Sequence, residues 1–251
     1  MINYLSDTHV HTHYSPDADQ DATFSAYIKQ AKKLGLKQIV FTDHVDFDAA
    51  HPLFKDTINF DEYTKDFIES TKDETDIDVQ LGVEIGYQRH VKVDIIEFLK
   101  KYPFQHVIMS IHYIEKKDLY TKEYFLNKTK EEAFSIYFEK VLEAIKTIDD
   151  FTVIGHLDYI PRYSDFGDYD YQVYKDVIDE ILLELIKKNK GIEINTSGYN
   201  YEKRQYPKKE VIERFIELGG RKMTLGSDAH KVSDLKRYYE QLKQTLKKEQ
   251  R

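Results

Sequence analysis

Cysteine is absent from the 251 residues, which excludes disulfide scaffolds, thiolate nucleophiles, iron–sulfur clusters and cysteine-based zinc fingers. No apolar run approaches the roughly 18 residues that a membrane span needs. The opening Met1-Ile2-Asn3-Tyr4-Leu5-Ser6-Asp7 lacks the basic and apolar regions of a signal peptide. There is no Walker loop, no G-x-G-x-x-G run and no G-x-S-x-G elbow, so neither a phosphate-cradling glycine loop nor a serine-hydrolase nucleophile is supported. Positive charge is not in excess either. Lys and Arg total 37 against 45 Asp and Glu, a net −8, which disfavours a nucleic-acid binder. What is present, 33% charged and 41% apolar residues, suits a folded globular chain long enough to bury a large core. The expected class is a cytoplasmic enzyme without a membrane or nucleic-acid partner.

A short apolar run, a polar loop and an amphipathic helix recur along the chain. Strands are predicted at Tyr4–His9, Gln38–Thr42, Val79–Glu84, Val107–Ile111, Thr152–Gly155, Gly191–Asn195 and Met223–Gly226. They are short and often β-branched, as buried parallel strands are. Phe24, Tyr27, Ile28, Ala31 and Leu34 fall at helical spacing, and Gly35 follows as a C-terminal cap. Further helices are expected over Asp61–Thr75, Val91–Lys101, Lys130–Ile148, Tyr171–Lys188, Lys208–Leu218 and Ser233–Lys248. About seven βα units result, an order that implies a parallel sheet. Periodicity does not separate a closed barrel from an open sheet, but the polar residues do. An open sheet gathers ligands at one crevice, whereas a barrel collects them from the ends of many strands.

Seven of the 10 histidines sit at or just past predicted strand ends: His9, His11, His13, His44, His112, His156 and His230. His9 with His11, His156 with Asp158, and Asp228 with His230 are each two residues apart, so along extended chain both members face the same side. Glu84 closes the apolar run Leu81-Gly82-Val83-Glu84. A carboxylate buried there requires a cation or strong donors. Together with Asp17, Asp43 and Asp228 these groups form a nitrogen-and-oxygen ligand set that suits zinc, manganese or iron(II). They exceed the three or four ligands of one zinc ion, which points to a multinuclear site.

The motifs Asp7-Thr8-His9-Val10-His11-Thr12, Thr42-Asp43-His44, Gly82-Val83-Glu84, Ser110-Ile111-His112, Gly155-His156-Leu157-Asp158 and Ser227-Asp228-Ala229-His230 together resemble the polymerase-and-histidinol-phosphatase (PHP) family. Asn195-Thr196-Ser197-Gly198 and the overall length are similar to its histidinol-phosphate phosphatase branch. The resemblance spans about Ser6 to His230. It implies an α/β fold, a distorted (β/α)7 barrel with its metal site at the C-terminal ends of the strands, and residues 1–251 as a single barrel domain. It also implies three divalent metal ions. His9, His11, Glu84 and Asp228 would hold the first, and Glu84 would bridge to the second, completed by His112 and His156. Asp17, His44 and His230 would hold the third. Some relatives have histidine where Asp17 stands, so the third site here should be harder. His13 matches no ligand position.

Two divalent ions about 3.5–4 Å apart can share a hydroxide, lower its pKa and polarise phosphoryl oxygens. The expected activity is hydrolysis of a small phosphate ester, L-histidinol phosphate, by a metal-bridging hydroxide in histidine biosynthesis. Glu84 and Asp228 would carry the chemistry, with Asp158 orienting a ligand or protonating the alkoxide. Arg162, just after the fifth strand, is the expected phosphate clamp. Arg204 is a second candidate clamp, and Ser197 is assigned to the substrate. Family members often carry arginine soon after Asn-Thr-Ser-Gly, where this chain has Tyr199 and Asn200. The substrate's amine and imidazole call for carboxylates and flat aromatic walls. The mouth loops offer Asp46, Phe47, Asp48, Tyr113, Glu115, Tyr163, Asp165, Tyr199 and Tyr201. A PHP-type phosphoesterase acting on nucleotides or oligonucleotides is the alternative enzyme, and a metal-binding regulatory protein the non-enzymatic one.

Overall fold

Apolar side chains on alternate strand residues and on one face of each helix are buried together where a parallel sheet rolls up inside a ring of helices. The computed structural model describes residues 2–54 and 58–247. Seven parallel strands form the sheet: β1 Ser6–Val10, β2 Gln38–Phe41, β3 Asp78–Gly86, β4 His106–Ser110, β5 Val153–Ile154, β6 Gly191–Asn195 and β7 Met223–Gly226. They are ordered as in the sequence, the arrangement of a βα barrel rather than of an open sheet with a switch point. A two-residue strand, His44–Val45, adds to β3 past the end of β2.

The helices are α1 Phe24–Lys33, α2 Phe60–Thr71, α3 Lys92–Lys101, α4 Lys130–Thr147, α5 Tyr171–Lys187, α6 Lys209–Glu217 and α7 Tyr239–Lys247. Capping defines their ends. Thr23 accepts the Ala26 N–H at the start of α1, and Thr129 with Glu132 forms a capping box on α4. Gly35, at φ +69°, ends α1. Its N–H donates to the Lys32 carbonyl and the Leu36 N–H to the Ala31 carbonyl, the paired bonds of a Schellman motif. No helix among the described residues is long and apolar enough to cross a membrane.

Strand residues divide by parity. In β3, Leu81, Val83 and Ile85 pack outward into the helix-facing core, as do Ile192 and Ile194 in β6. Glu84, Glu193 and Asn195 occupy the other parity and are fully buried, so the barrel interior holds charged and polar groups.

Several boundaries differ from expectation, and α2 ends at Thr71 rather than Thr75. The first strand starts at Ser6 rather than Tyr4, and α7 begins at Tyr239 rather than Ser233. The residues before α7 are used otherwise: Lys236 and Tyr238 have φ of +63°, and the Lys236 N–H donates to Asp7. The expected last residue of that helix, Lys248, lies outside the described residues.

The first and last strands meet along a seam with few ladder bonds. The Asp228 N–H donates to the His9 carbonyl and the His11 N–H to the Ala229 carbonyl, both at 2.9 Å. Lower down, the buried Asp7 carboxylate accepts the Ser227 and Lys236 N–H groups, each at 2.9 Å. The Tyr239 hydroxyl lies 3.1 and 3.2 Å from the Ser6 and Leu225 carbonyls. A side chain thus does what ladder bonds do elsewhere in the barrel. Asp7→Ala leaves two N–H groups without an acceptor and should lower the unfolding free energy by about 2–3 kcal/mol in urea titrations. An unchanged midpoint would mean that backbone pairing alone closes the barrel.

Candidate metal centre and pocket

Loops at the C-terminal ends of the strands bring the predicted histidines and acids to one place. His9 and His11 come from the end of β1, His44 from the loop after β2, and Glu84 from β3. His112, His156 and Asp228 with His230 follow β4, β5 and β7. Glu84 stands at the centre. Its Oε2 lies 3.2 Å from His9 Nε2, 3.6 Å from His11 Nε2 and 3.0 Å from His44 Nδ1. Its Oε1 lies 2.8 Å from His156 Nε2 and 3.3 Å from His112 Nε2, and accepts the Ser110 hydroxyl at 2.7 Å. The two oxygens of one carboxylate therefore address two separate groups of imidazoles.

Asp228 Oδ1 lies 3.2 Å from His11 Nε2 and 3.5 Å from His9 Nε2. The His11 ring is stacked between His44 and His230, with centroids 4.2 and 4.1 Å away. Asp17 Oδ2 lies 3.1 Å from His230 Nε2 and 3.8 Å from His44 Nε2. All nine predicted ligand residues are thus in one cluster. His156 and Asp228 have positive φ, +21° and +56°, a strained backbone of the kind found at functional sites.

The far sides of the imidazoles show which nitrogens point inward. His9 Nδ1 lies 2.6 Å from Glu193 and His112 Nδ1 2.9 Å from Asp46. His230 Nδ1 donates to the Asp228 carbonyl at 3.0 Å. His11 Nδ1 lies 3.3 Å from the Ser15 hydroxyl, which itself donates to Asp43 at 2.7 Å. A neutral imidazole has one N–H, so an engaged Nδ1–H leaves Nε2 a lone pair, as a metal-binding histidine requires. His9 Nε2, His11 Nε2 and Glu84 Oε2 are buried without a hydrogen-bond partner. Three sets, His9–His11–Glu84, Glu84–His112–His156 and His11–His44–His230, each place their ligand atoms within 4.8 Å of one another. These donors could hold divalent metal.

Among the protein's own groups, carboxylates and imidazoles shift one another. Burial works against charge on His9, but Glu193, Glu84 and Asp228 outweigh it and raise the His9 pKa well above its ordinary value. Burial works against charge on Glu84, but His9, His112 and His44 outweigh it and hold the carboxyl well below its ordinary range. Asp228 behaves the same way beside His9, His11 and His230. Burial, with His230 and His44, pushes the His11 pKa far down and keeps that ring neutral.

Over the cluster lies a cavity of about 240 Å³, lined on the protein side by Arg162, Tyr113, Tyr163, Phe54, His51 and Asp118 among others. The Arg162 guanidinium sits 4.1 Å over the Tyr201 ring, donates to the Tyr201 hydroxyl at 2.9 Å and leaves Nε unpaired. Of the expected mouth residues, Asp46, Tyr113 and Tyr163 line the cavity, whereas Phe47, Asp48, Glu115, Asp165, Tyr199 and Tyr201 do not.

Three expectations are corrected by placement. Asp158 does not line the cavity. It is fully buried, and accepts from Tyr169 at 2.7 Å, the Lys208 N–H at 2.8 Å and Arg204 at 3.2 Å, so it can neither orient a ligand nor reach a leaving group. Arg204 does not line the cavity either, because its fork is bidentate on Asp168 at 2.9 and 3.0 Å. Ser197 donates to Asp228 Oδ2 at 3.1 Å and supports that carboxylate instead of facing the cavity. Asp43 acts through the turn Thr12–Ser15, and His13 stands apart against Tyr14. Glu193 was missed, although a carboxylate inside the apolar run Gly191-Ile192-Glu193-Ile194-Asn195 is the signal that Glu84 gives. His51, in a loop, and Asp118, in the two-residue strand Lys117–Asp118, also line the cavity but belong to no spaced pattern in the sequence.

The PHP domain family matches the chain over residues 7–197. A probable histidinol-phosphatase of Clostridium acetobutylicum is 34% identical over 89% of this chain and 86% of its own length. The histidinol-phosphatase of Lactococcus lactis subsp. lactis is 32% identical over 89% and 83%. A crystal structure of histidinol phosphate phosphatase from that organism, complexed with zinc, L-histidinol and phosphate, superposes with a TM-score of 0.79, covering 90% of this chain and 86% of that one. A structure from Listeria monocytogenes, 20% identical with a TM-score of 0.82, shares the fold.

Arg204→Ala strips a buried carboxylate of its partner and should cost about 3 kcal/mol of stability, read by urea unfolding, with KM for a phosphate ester unchanged. A raised KM at full stability would return Arg204 to the substrate.

Proposed function

The chain belongs to the PHP domain family, and from that premise we propose that it is a metal-dependent phosphomonoesterase hydrolysing L-histidinol phosphate to L-histidinol and phosphate. The observation that carries this reading is the split of Glu84 between two groups of imidazoles beneath a cavity with an arginine in its wall. In this reading His9, His11, Glu84 and Asp228 hold one divalent ion, Glu84, His112 and His156 a second, and Asp17, His44 and His230 a third. Ions bound there supply Lewis acidity to the phosphoryl oxygens and an activated water as nucleophile.

The remaining work falls to the chain's own side chains. Arg162 is pre-oriented by the Tyr201 ring and hydroxyl, so its free donors meet the phosphate without reorganisation. Asp228 Oδ2, 3.9 Å from Arg162 Nη1, keeps the guanidinium at the metal end of the cavity. Asp118 is a buried carboxylate of the same wall, outside the imidazole cluster; the Tyr120 N–H donates to its Oδ1 at 2.7 Å. It is the acidic group suited to the substrate's ammonium, and Tyr113 and Tyr120 line the same cavity. A cavity of about 240 Å³ suits a small ester rather than a nucleic-acid strand. In this reading the described residues form one such barrel domain. An ionised phosphate ester does not cross membranes unaided, so we place the enzyme in the cytoplasm with histidine biosynthesis.

Glu84→Gln replaces an oxygen that faces imidazole nitrogens with an amide nitrogen. Turnover should fall below detection and bound metal should drop, measured by elemental analysis after dialysis and by phosphate release; retained metal with a near-native rate would remove Glu84 from the centre. Substrate choice is tested with Asp118→Asn. Removing the charge should raise KM for histidinol phosphate about 10-fold, corresponding to one lost charge-assisted contact, while leaving KM for an amine-free ester such as p-nitrophenyl phosphate unchanged. Faster turnover of nucleoside bisphosphates or a single-stranded oligonucleotide than of histidinol phosphate would overturn the substrate assignment.

A further inference from the structure

We propose that Glu193 is a positioning residue for the metal centre: it keeps the His9 proton on Nδ1, so that Nε2 faces the cluster as a lone pair, and it pins the backbone of His156. The inference rests on the metal-centre reading above and adds to it a residue outside the ligand shell. Glu193 stands on the interior face of β6 and is fully buried. Its Oε1 lies 2.6 Å from His9 Nδ1. Its Oε2 accepts the His156 N–H at 2.8 Å and the Asn195 side-chain amide at 3.2 Å. Every group facing this carboxylate is therefore a donor, and His9 Nδ1, with an acceptor that close, carries the proton.

The space around Glu193 is cut for it. On the neighbouring strand β7 stands a glycine: a Cβ at Gly226 would lie 2.4 Å from Glu193 Oε1 and 2.5 Å from His9 Cβ. The bond from the His156 N–H to Glu193 Oε2 matters because His156 has φ +21°, a conformation that an L residue holds only when its surroundings impose it. One carboxylate thus aims a ring from β1 and holds the turn after β5. Both rings flank Glu84, His9 on Oε2 and His156 on Oε1.

Glutamine has the same shape but offers one acceptor where two are needed. If its amide nitrogen faces His9, Nδ1 must accept and the proton moves to Nε2, which then cannot bind a cation. If it faces His156, two donors meet in a buried site. The test is zinc affinity, measured by competition with a chromophoric chelator, for wild-type protein and Glu193→Gln. We expect affinity to fall roughly 10–100-fold while the unfolding midpoint of the zinc-free protein holds. Equal zinc affinity would overturn the proposal, as would a loss matched by an equal fall in zinc-free stability, which a merely structural role would give. Independently of any variant, nitrogen-15 histidine spectra of the zinc-loaded wild type should show a proton on His9 Nδ1 and none on Nε2; the opposite tautomer overturns it. Wild-type protein that takes up no zinc would defeat the metal-centre reading itself, and this inference with it.

Discussion

Glu84 and Glu193 stand on the inner face of a parallel barrel, where water does not reach and an ionised carboxylate survives only if its charge is met. The rest of the mouth follows from that requirement. Both acids occupy strand positions whose outward neighbours are aliphatic, so neither can turn away without undoing a strand. Each is therefore surrounded by groups that satisfy it: imidazoles and a serine hydroxyl for Glu84, an imidazole and two amide donors for Glu193.

Imidazole meets this requirement better than lysine or arginine would. It is small and rigid, and its two nitrogens can be given different tasks. In His9, His11, His112 and His230 the outer nitrogen is engaged by a carboxylate, a hydroxyl or a backbone carbonyl, which leaves the inner one free for a cation. The outer partners come from different segments, so the centre is braced all round the barrel. The strained φ angles at His156 and Asp228 fall where strand ends must bend to bring ligands inward.

The same barrel separates two arginine environments. Arg162 is stacked on tyrosine rings and keeps donors free beside the cluster. Arg204 is spent on Asp168 and Asp158, where it ties the segment between β6 and α6 to the segment between β5 and α5. One serves the cavity and the other the scaffold, although both follow a strand by a few residues.

The strand–helix order, the parity of apolar residues and the kinds of group at strand ends were legible in the chain itself. These are local properties: i and i+2 share a face whatever the strand packs against, and β6 and β7 match their predicted bounds for that reason. Glu84, ending an apolar run, and the His9–His11 and Asp228–His230 pairs carried the centre in the same local way. Tertiary structure decided what depends on distant neighbours. Which arginine keeps a free fork is set by Asp168, and whether Asp158 faces the cavity by Tyr169 and the Lys208 amide. Where α7 can begin is set by Asp7, more than two hundred residues earlier, whose claim on the Lys236 N–H removes it from any helix. No periodicity in a linear chain encodes a competition among groups that meet only when the barrel closes.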